Sequence, residues 1–166
     1  DRSTGKFERF EYDETDSTSV GRAPRALIGD QLGNLWIGTW NGFFRTEVAN
    51  PGKFDRYLFD PDLQRQDPER FVNALMEDLA GFIWVGTGDG LVRLDPESGK
   101  MERFKHNPQD VESLSNGQLN GIVERSREPG ILWLATSGGL NRFDTDTEKS
   151  RHFTVRSGLA NNTLYA

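Results

Sequence analysis

The 166-residue chain is about one domain long, and 34% hydrophobic residues with 18 glycines are enough for one sizeable core and too many for disorder. No apolar run nears the ~18 residues of a membrane span, so these residues do not cross a bilayer as a helix. A net charge of −6 argues against a general nucleic-acid binder, and zero Cys removes disulfides, thiolate nucleophiles and Cys-zinc sites.

The chain opens on Asp1 with no signal-peptide core, and reads as a piece processed or excised from something longer. The first predicted element is an outer strand over 6–11, where Lys6-Phe7-Glu8-Arg9-Phe10 alternates charged and apolar residues. Three copies of one unit follow. Each has an inner strand (Arg25 to Ile28, Asn73 to Met76, Asn120 to Val123), then an apolar strand carrying a Trp at 36, 84 or 133. Next comes a Gly-bearing pair, Asn41-Gly42, Asp89-Gly90 or Gly138-Gly139, which predicts a two-residue hairpin with φ > 0 at both central residues. A third strand ends in Arg45, Arg93 or Arg142. A turn such as Asp95 to Gly99 leads to an outer strand of the Lys-Phe-x-Arg-Phe type. Asp67-Pro68-Glu69 followed by Phe71, Val72, Leu75 and Met76 has the pattern of a capped amphipathic helix. The aligned copies, with Pro24 and Gly121, overrule it. A strand over 71–77 is predicted, with a helical turn at 67–70. A last partial inner strand is predicted at 161–166.

The Trp-to-Trp spacing is 48 and then 49 residues. Four antiparallel strands at such a period define β-propeller blades, since WD40 repeats run about 40–45 residues and kelch about 50. The expected fold is all-β, with about three and a half blades. A partial blade lies at 1–12, whole blades at about 20–58, 70–105 and 118–154, and a partial strand at 161–166. Trp36, Trp84 and Trp133 should fill equivalent buried positions between blades, with the following Gly allowing close approach. Closed propellers have about 4–8 blades, so the chain should be an open or partial propeller completed by further blades or by another copy of itself.

Asp30 to Thr39, Gly81 to Thr87, Ser137 to Asp144 and the connection His106 to Asn116 resemble the two-component regulator propeller repeats of bacterial hybrid histidine kinases and related diguanylate cyclases. Trp40, Ala135 and the second connection, 58–70, depart from that pattern. The resemblance implies a ligand-sensing module on the periplasmic or extracellular side of an inner-membrane protein. The ligand would be small, glycan-derived ligands being common in the family, and the signal would pass to a cytoplasmic kinase or cyclase lying outside this chain. From the residues, no cofactor and no metal are expected.

Gly86 to Gly90 resembles part of a dinucleotide loop but precedes no helix. Glu77-Asp78 reads as turn chemistry, and Asp144-Thr145-Asp146 lacks the further ligands of a calcium loop. His106 and His152 are expected to be solvated, so a propeller lyase or hydrolase, which would need an axial catalytic His, is the alternative reading alongside a protein-binding scaffold. Ligands should gather where the connections reach the inner strands and the second-to-third strand hairpins turn. The residues there are Arg22, Arg25, Trp40, Asn41, Arg70, Asn73, Asp89, Asn116, Gln118 and Asn120. An exposed Trp40 could stack on a sugar face, while Arg, Asn and Gln bind hydroxyls and acidic groups.

Overall fold

A computed structural model of the chain describes residues 4–59, 67 and 70–164. Twelve strands form three four-stranded antiparallel sheets, each in sequential order. Blade 1 holds β1 (Ala26–Gly29), β2 (Asn34–Thr39), β3 (Gly42–Glu47) and β4 (Asp55–Tyr57). Blade 2 holds β5 (Val72–Glu77), β6 (Ile83–Thr87), β7 (Gly90–Leu94) and β8 (Met101–Phe104). Blade 3 holds β9 (Leu119–Glu124), β10 (Ile131–Thr136), β11 (Gly139–Asp144) and β12 (Lys149–Phe153). The first strands β1, β5 and β9 lie side by side as the inner edge of an arc. The fold is an open propeller fragment, and the segment with helical periodicity forms strand β5, because its apolar residues pack between two sheets. The helical turn expected at 67–70 falls largely outside the described residues.

Apolar side chains meet between blades. Trp36 and Phe43 of blade 1 pack on Leu75, Val85 and Leu94 of blade 2. Trp84 and Leu91 of blade 2 pack likewise on Leu132, Leu134 and Phe143 of blade 3. Gly38 is where β2 touches β5, since a Cβ there would lie 2.4 Å from a Val72 methyl. Gly86 holds the equivalent place at the next junction, where a Cβ would stand 3.2 Å from Leu119 Cβ. Trp36 and Trp84 are fully buried, whereas Trp133 on the outward face of blade 3 is only partly buried.

Three expectations are corrected. The hairpins close one residue earlier than predicted, with Thr39 opposite Gly42, Thr87 opposite Gly90 and Thr136 opposite Gly139. The turn residues are therefore Trp40-Asn41, Gly88-Asp89 and Ser137-Gly138, and none has a positive φ. The threonine hydroxyls hold the turns instead, donating to the carbonyls of Gly42, Gly90 and Gly139 at 2.8–2.9 Å. Gly42, Gly90 and Gly139 just beyond have φ of 119°, 143° and 128°, and a Cβ there would meet an outer-strand carbonyl at 3.0, 2.7 and 2.4 Å.

The outer strand expected at 6–11 is not formed, and these residues are exposed. A strand exists only through a ladder, and no neighbouring strand lies beside this one among the described residues. Phe10 is anchored edge-on to Phe54, with ring centroids 5.6 Å apart. Residues 161–164 carry no ladder either, and the rest of that predicted strand, 165–166, lies outside the described residues. Leu164 nevertheless donates its N–H to Thr136 O at 3.3 Å, running along the outward side of blade 3.

Of the two histidines expected to be solvated, His106 is exposed but His152 is half-buried, and both are held to backbone carbonyls. His106 Nδ1 lies 2.6 Å from Leu114 O and His152 Nε2 lies 2.6 Å from Ser113 O, clamping the connection into blade 3. That connection has a twin before blade 1. Ser113 Oγ accepts from Asn107 N and donates to Asn107 O, as Ser19 Oγ does with Asp13. Glu112 N donates to Asp110 Oδ1 at 2.9 Å, as Thr18 N does to Asp16 Oδ1 at 2.8 Å. Leu114 and Val20 then occupy equivalent buried places.

Candidate ligand-binding site

Side chains at the ends of the inner strands tie neighbouring segments together, at both ends of the junction between blades 2 and 3 and at one end of the junction between blades 1 and 2. Asn73 Nδ2 donates to Leu119 O at 2.9 Å, and Asn120 Nδ2 donates to Leu164 O at 2.7 Å. At the other end, the Glu77 carboxylate accepts from Gln31 N at 3.1 Å and Glu124 Oε2 accepts from Leu79 N at 2.7 Å. Asp78 Oδ1 closes its own turn by accepting from the N–H groups of Ala80 and Phe82, both at 2.9 Å. The pair Glu77-Asp78 is thus a strap and a turn cap. Asp144 likewise accepts from Asp146 N and Thr147 N, the same turn that Asp95 makes with Glu97 and Ser98. Among the described residues no group of three His, Asp or Glu side chains is placed to hold a metal ion.

The predicted site residues divide against this frame. Asn73 and Asn120 spend their amides on the straps. Asn116 Oδ1 accepts from Gln118 N at 2.8 Å and closes a turn. Asp89 pairs with Lys105 at 3.2 Å and packs so tightly on Gly117 that a Cβ there would lie 2.9 Å from its Oδ1. Asn41 is a hub: its Oδ1 accepts from Arg22 N at 3.0 Å and from the Thr39 hydroxyl at 2.8 Å. Its carbonyl accepts from Arg56 Nη2 at 2.8 Å.

What remains presentable is Arg22, Arg25, Trp40, Arg70 and Gln118. Trp40 is 52% exposed at the hairpin tip, with its ring centroid 6.0 Å from that of Phe71 across the first junction. Arg70 precedes Phe71, and its Nε is buried with no hydrogen-bond partner. Arg25 holds in blade 1 the place of Asn73 and Asn120. Arg56 was missed, because Asp55-Arg56-Tyr57 reads as an ordinary alternating outer strand; its pairing with Phe44 is what carries it to the hairpin end. Burial, and then the neighbouring charge of Arg70, lower the pKa of the Arg56 guanidinium, with Tyr12 acting the other way.

The two ends differ in charge. Arginines gather at the hairpin end around the first junction. The opposite end carries Glu77, Asp95 and Glu97 around a concavity of about 410 Å³ between the turns of blades 1 and 2.

Fold and site together define a fragment of a β-propeller whose loops crowd one end of the blades. No protein-family model and no curated protein matches the sequence. Solved structures do. The chain is similar to the extracellular domain of BT3049 from B. thetaiotaomicron, described as a hybrid two-component system, with 20% identity, a TM-score of 0.75 and 89% of this chain covered. It is similar to that of BT4673 from the same organism, also described as a hybrid two-component system, with 18% identity, a TM-score of 0.69 and 87% covered. A second structure of the BT4673 extracellular domain matches at 26% identity and a TM-score of 0.59, again over 87% of the chain. The chain spans about a fifth of the length of each, 21%, 21% and 18%.

Proposed function

We propose that this chain is part of an extracytoplasmic ligand-sensing propeller of a two-component signalling protein, binding a small glycan-derived ligand at the hairpin end of its blades. The signal would pass to a cytoplasmic kinase or cyclase elsewhere in the parent protein, and the remaining blades would complete the propeller. The observation that carries the reading is the 26% identity to the BT4673 extracellular domain over 87% of this chain. The half-exposed Trp40 beside Arg22, Arg56 and Arg70 supports a ligand at that end, because an indole face covers a sugar ring while guanidinium groups take its polar rim.

A thermal-shift screen of the whole ectodomain against an oligosaccharide panel tests it. A raised melting temperature with no product formed is expected. Turnover of a saccharide without an added partner overturns the sensor reading in favour of a propeller lyase or hydrolase.

A further inference from the structure

We infer that the hairpin end of the first junction is an anion site, and that the ligand taken there is an acidic saccharide carrying carboxylate or sulfate groups. This rests on the reading of the chain as a saccharide sensor and narrows it. The chain carries 26 acidic against 20 basic residues, so a guanidinium has no shortage of carboxylates to pair with. Arg45, Arg93 and Arg125 do pair, with Asp55, Glu102 and Glu128. Among the described residues Arg22, Arg25, Arg56 and Arg70 form no ion pair, as is also true of Arg127, Arg142, Arg151 and Arg156 elsewhere, but only these four lie on segments of one junction.

These four sit on the segments that meet at the first junction. Asn41 holds both segments here, its Oδ1 accepting from the Arg22 backbone N–H and its carbonyl from the Arg56 guanidinium. Arg56 and Arg70 are near enough to repel each other. Arg70 Nε is buried without an acceptor, an arrangement that costs free energy until an acceptor arrives. The one acidic side chain of the neighbouring hairpin, Asp89, is engaged by Lys105. Guanidinium forks bind carboxylate and sulfate oxygens in pairs, and the exposed ring of Trp40 beside them offers a face for the sugar. A neutral saccharide would use the ring and leave the charges unmatched.

The test is titration of the whole ectodomain, followed by Trp fluorescence and calorimetry, with three probes of similar length: oligogalacturonate, a sulfated oligosaccharide, and methyl-esterified oligogalacturonate as the neutral control. Expected is binding of at least one acidic probe tenfold or more tighter than the neutral one, weakening as salt rises. Arg56→Gln combined with Arg70→Gln should lower that affinity at least tenfold. The thermal melt of this double variant, run in parallel, must match the parent for the loss to count, and the single Arg22→Gln, on an exposed loop, serves if it does not. Whichever acidic probe binds separates carboxylate from sulfate recognition. Equal binding of neutral and acidic probes overturns the anion site but leaves the saccharide reading standing. Binding by none of the three overturns both.

Discussion

Trp84 donates its indole N–H to Asp78 Oδ2 at 2.6 Å, closing a link within the blade between the turn after the inner strand and the residue that fills the junction. Trp36 and Asp30 repeat it at 2.7 Å. In blade 3 the turn is two residues longer and Arg125 stands where the Asp should be; Trp133 Nε1 is buried there without a partner. Asp78→Ala should therefore cost roughly 2–3 kcal/mol, because it strands a buried indole N–H together with two turn amides. A double-mutant cycle with Trp84→Phe, read from urea midpoints, should return a coupling of about 1 kcal/mol or more. Strict additivity would remove the link from the account of stability.

Gly38 and Gly86 hold equivalent places with unequal clearance. A Cβ at Gly38 meets the stiff, fully buried Val72 side chain at 2.4 Å, while at Gly86 the nearest atom is 3.2 Å away. Gly38→Ala should destabilise by about 1–3 kcal/mol and Gly86→Ala by distinctly less. Thermal melts of the two variants side by side decide the order.

The connections into blades 1 and 3 solve one packing problem in two ways. Before blade 1, Gly21 leaves room for Phe44, and a Cβ there would lie 2.1 Å from the ring. Before blade 3, Ser115 takes that place and is bound by Asn141, with Ser115 N donating to Asn141 Oδ1 at 2.8 Å. Ser150 Oγ donates to the same oxygen at 3.0 Å. Gly21→Ser alone should destabilise by about 2 kcal/mol or more. Adding Phe44→Asn and Phe54→Ser should recover part of that loss, a non-additivity measured by the urea midpoints of the single, double and triple variants.

Stability should fall at acid pH in a way traceable to Asp30. Burial opposes its ionisation, but hydrogen bonds from the Trp36 indole, the Asn34 amide and the N–H groups of Asn34 and Leu32 outweigh that and lower its pKa. A carboxyl lowered in the folded state contributes stability that is full above its unfolded value of about 3.9 and lost as pH falls through the folded one. Asp95 and Asp144 are lowered too, by hydrogen bonds from Ser98 and from Thr147 foremost, so the whole loss should lie at and below that ordinary value. Denaturant midpoints from pH 6 to pH 2 should drop more steeply for the parent than for Asp30→Asn. Parallel curves would assign the acid loss elsewhere.

The blades, the Trp positions and the two close-approach glycines could be read from the residues, because the Trp recurs in register and packing at both junctions demands the glycine beside it. The strand at 6–11 could not, since a ladder belongs to two segments and composition describes only one. The twin of the blade 3 connection was hidden by chemistry: Asp13 and Asn107, or Thr18 and Glu112, make the same backbone bonds while sharing little in sequence. For the candidate site, the sequence named residues at the hairpin end of the blades but could not tell amides occupied by the neighbouring strand from guanidinium groups left over. That distinction depends on the path of the backbone one blade away.

The straps also divide the arc mechanically. The second junction is pinned at two points along its inner edge, by Asn73 at one end and by Glu124 at the other. Two pins define a hinge line, and blade 3 can swing only about it. Among the described residues the inner edge of the first junction has the pin from Glu77 to Gln31 N, with Arg25 standing where a second would be, while farther out Arg103 donates to the carbonyl of Phe59. Along that edge blade 1 is thus strapped to blade 2 at one point where blade 3 is strapped at two. Trp40 and Phe71 face each other across that joint, at its unpinned end. A molecule gripping both sides there would act at the full lever arm from the remaining pin, where a given force turns the joint most.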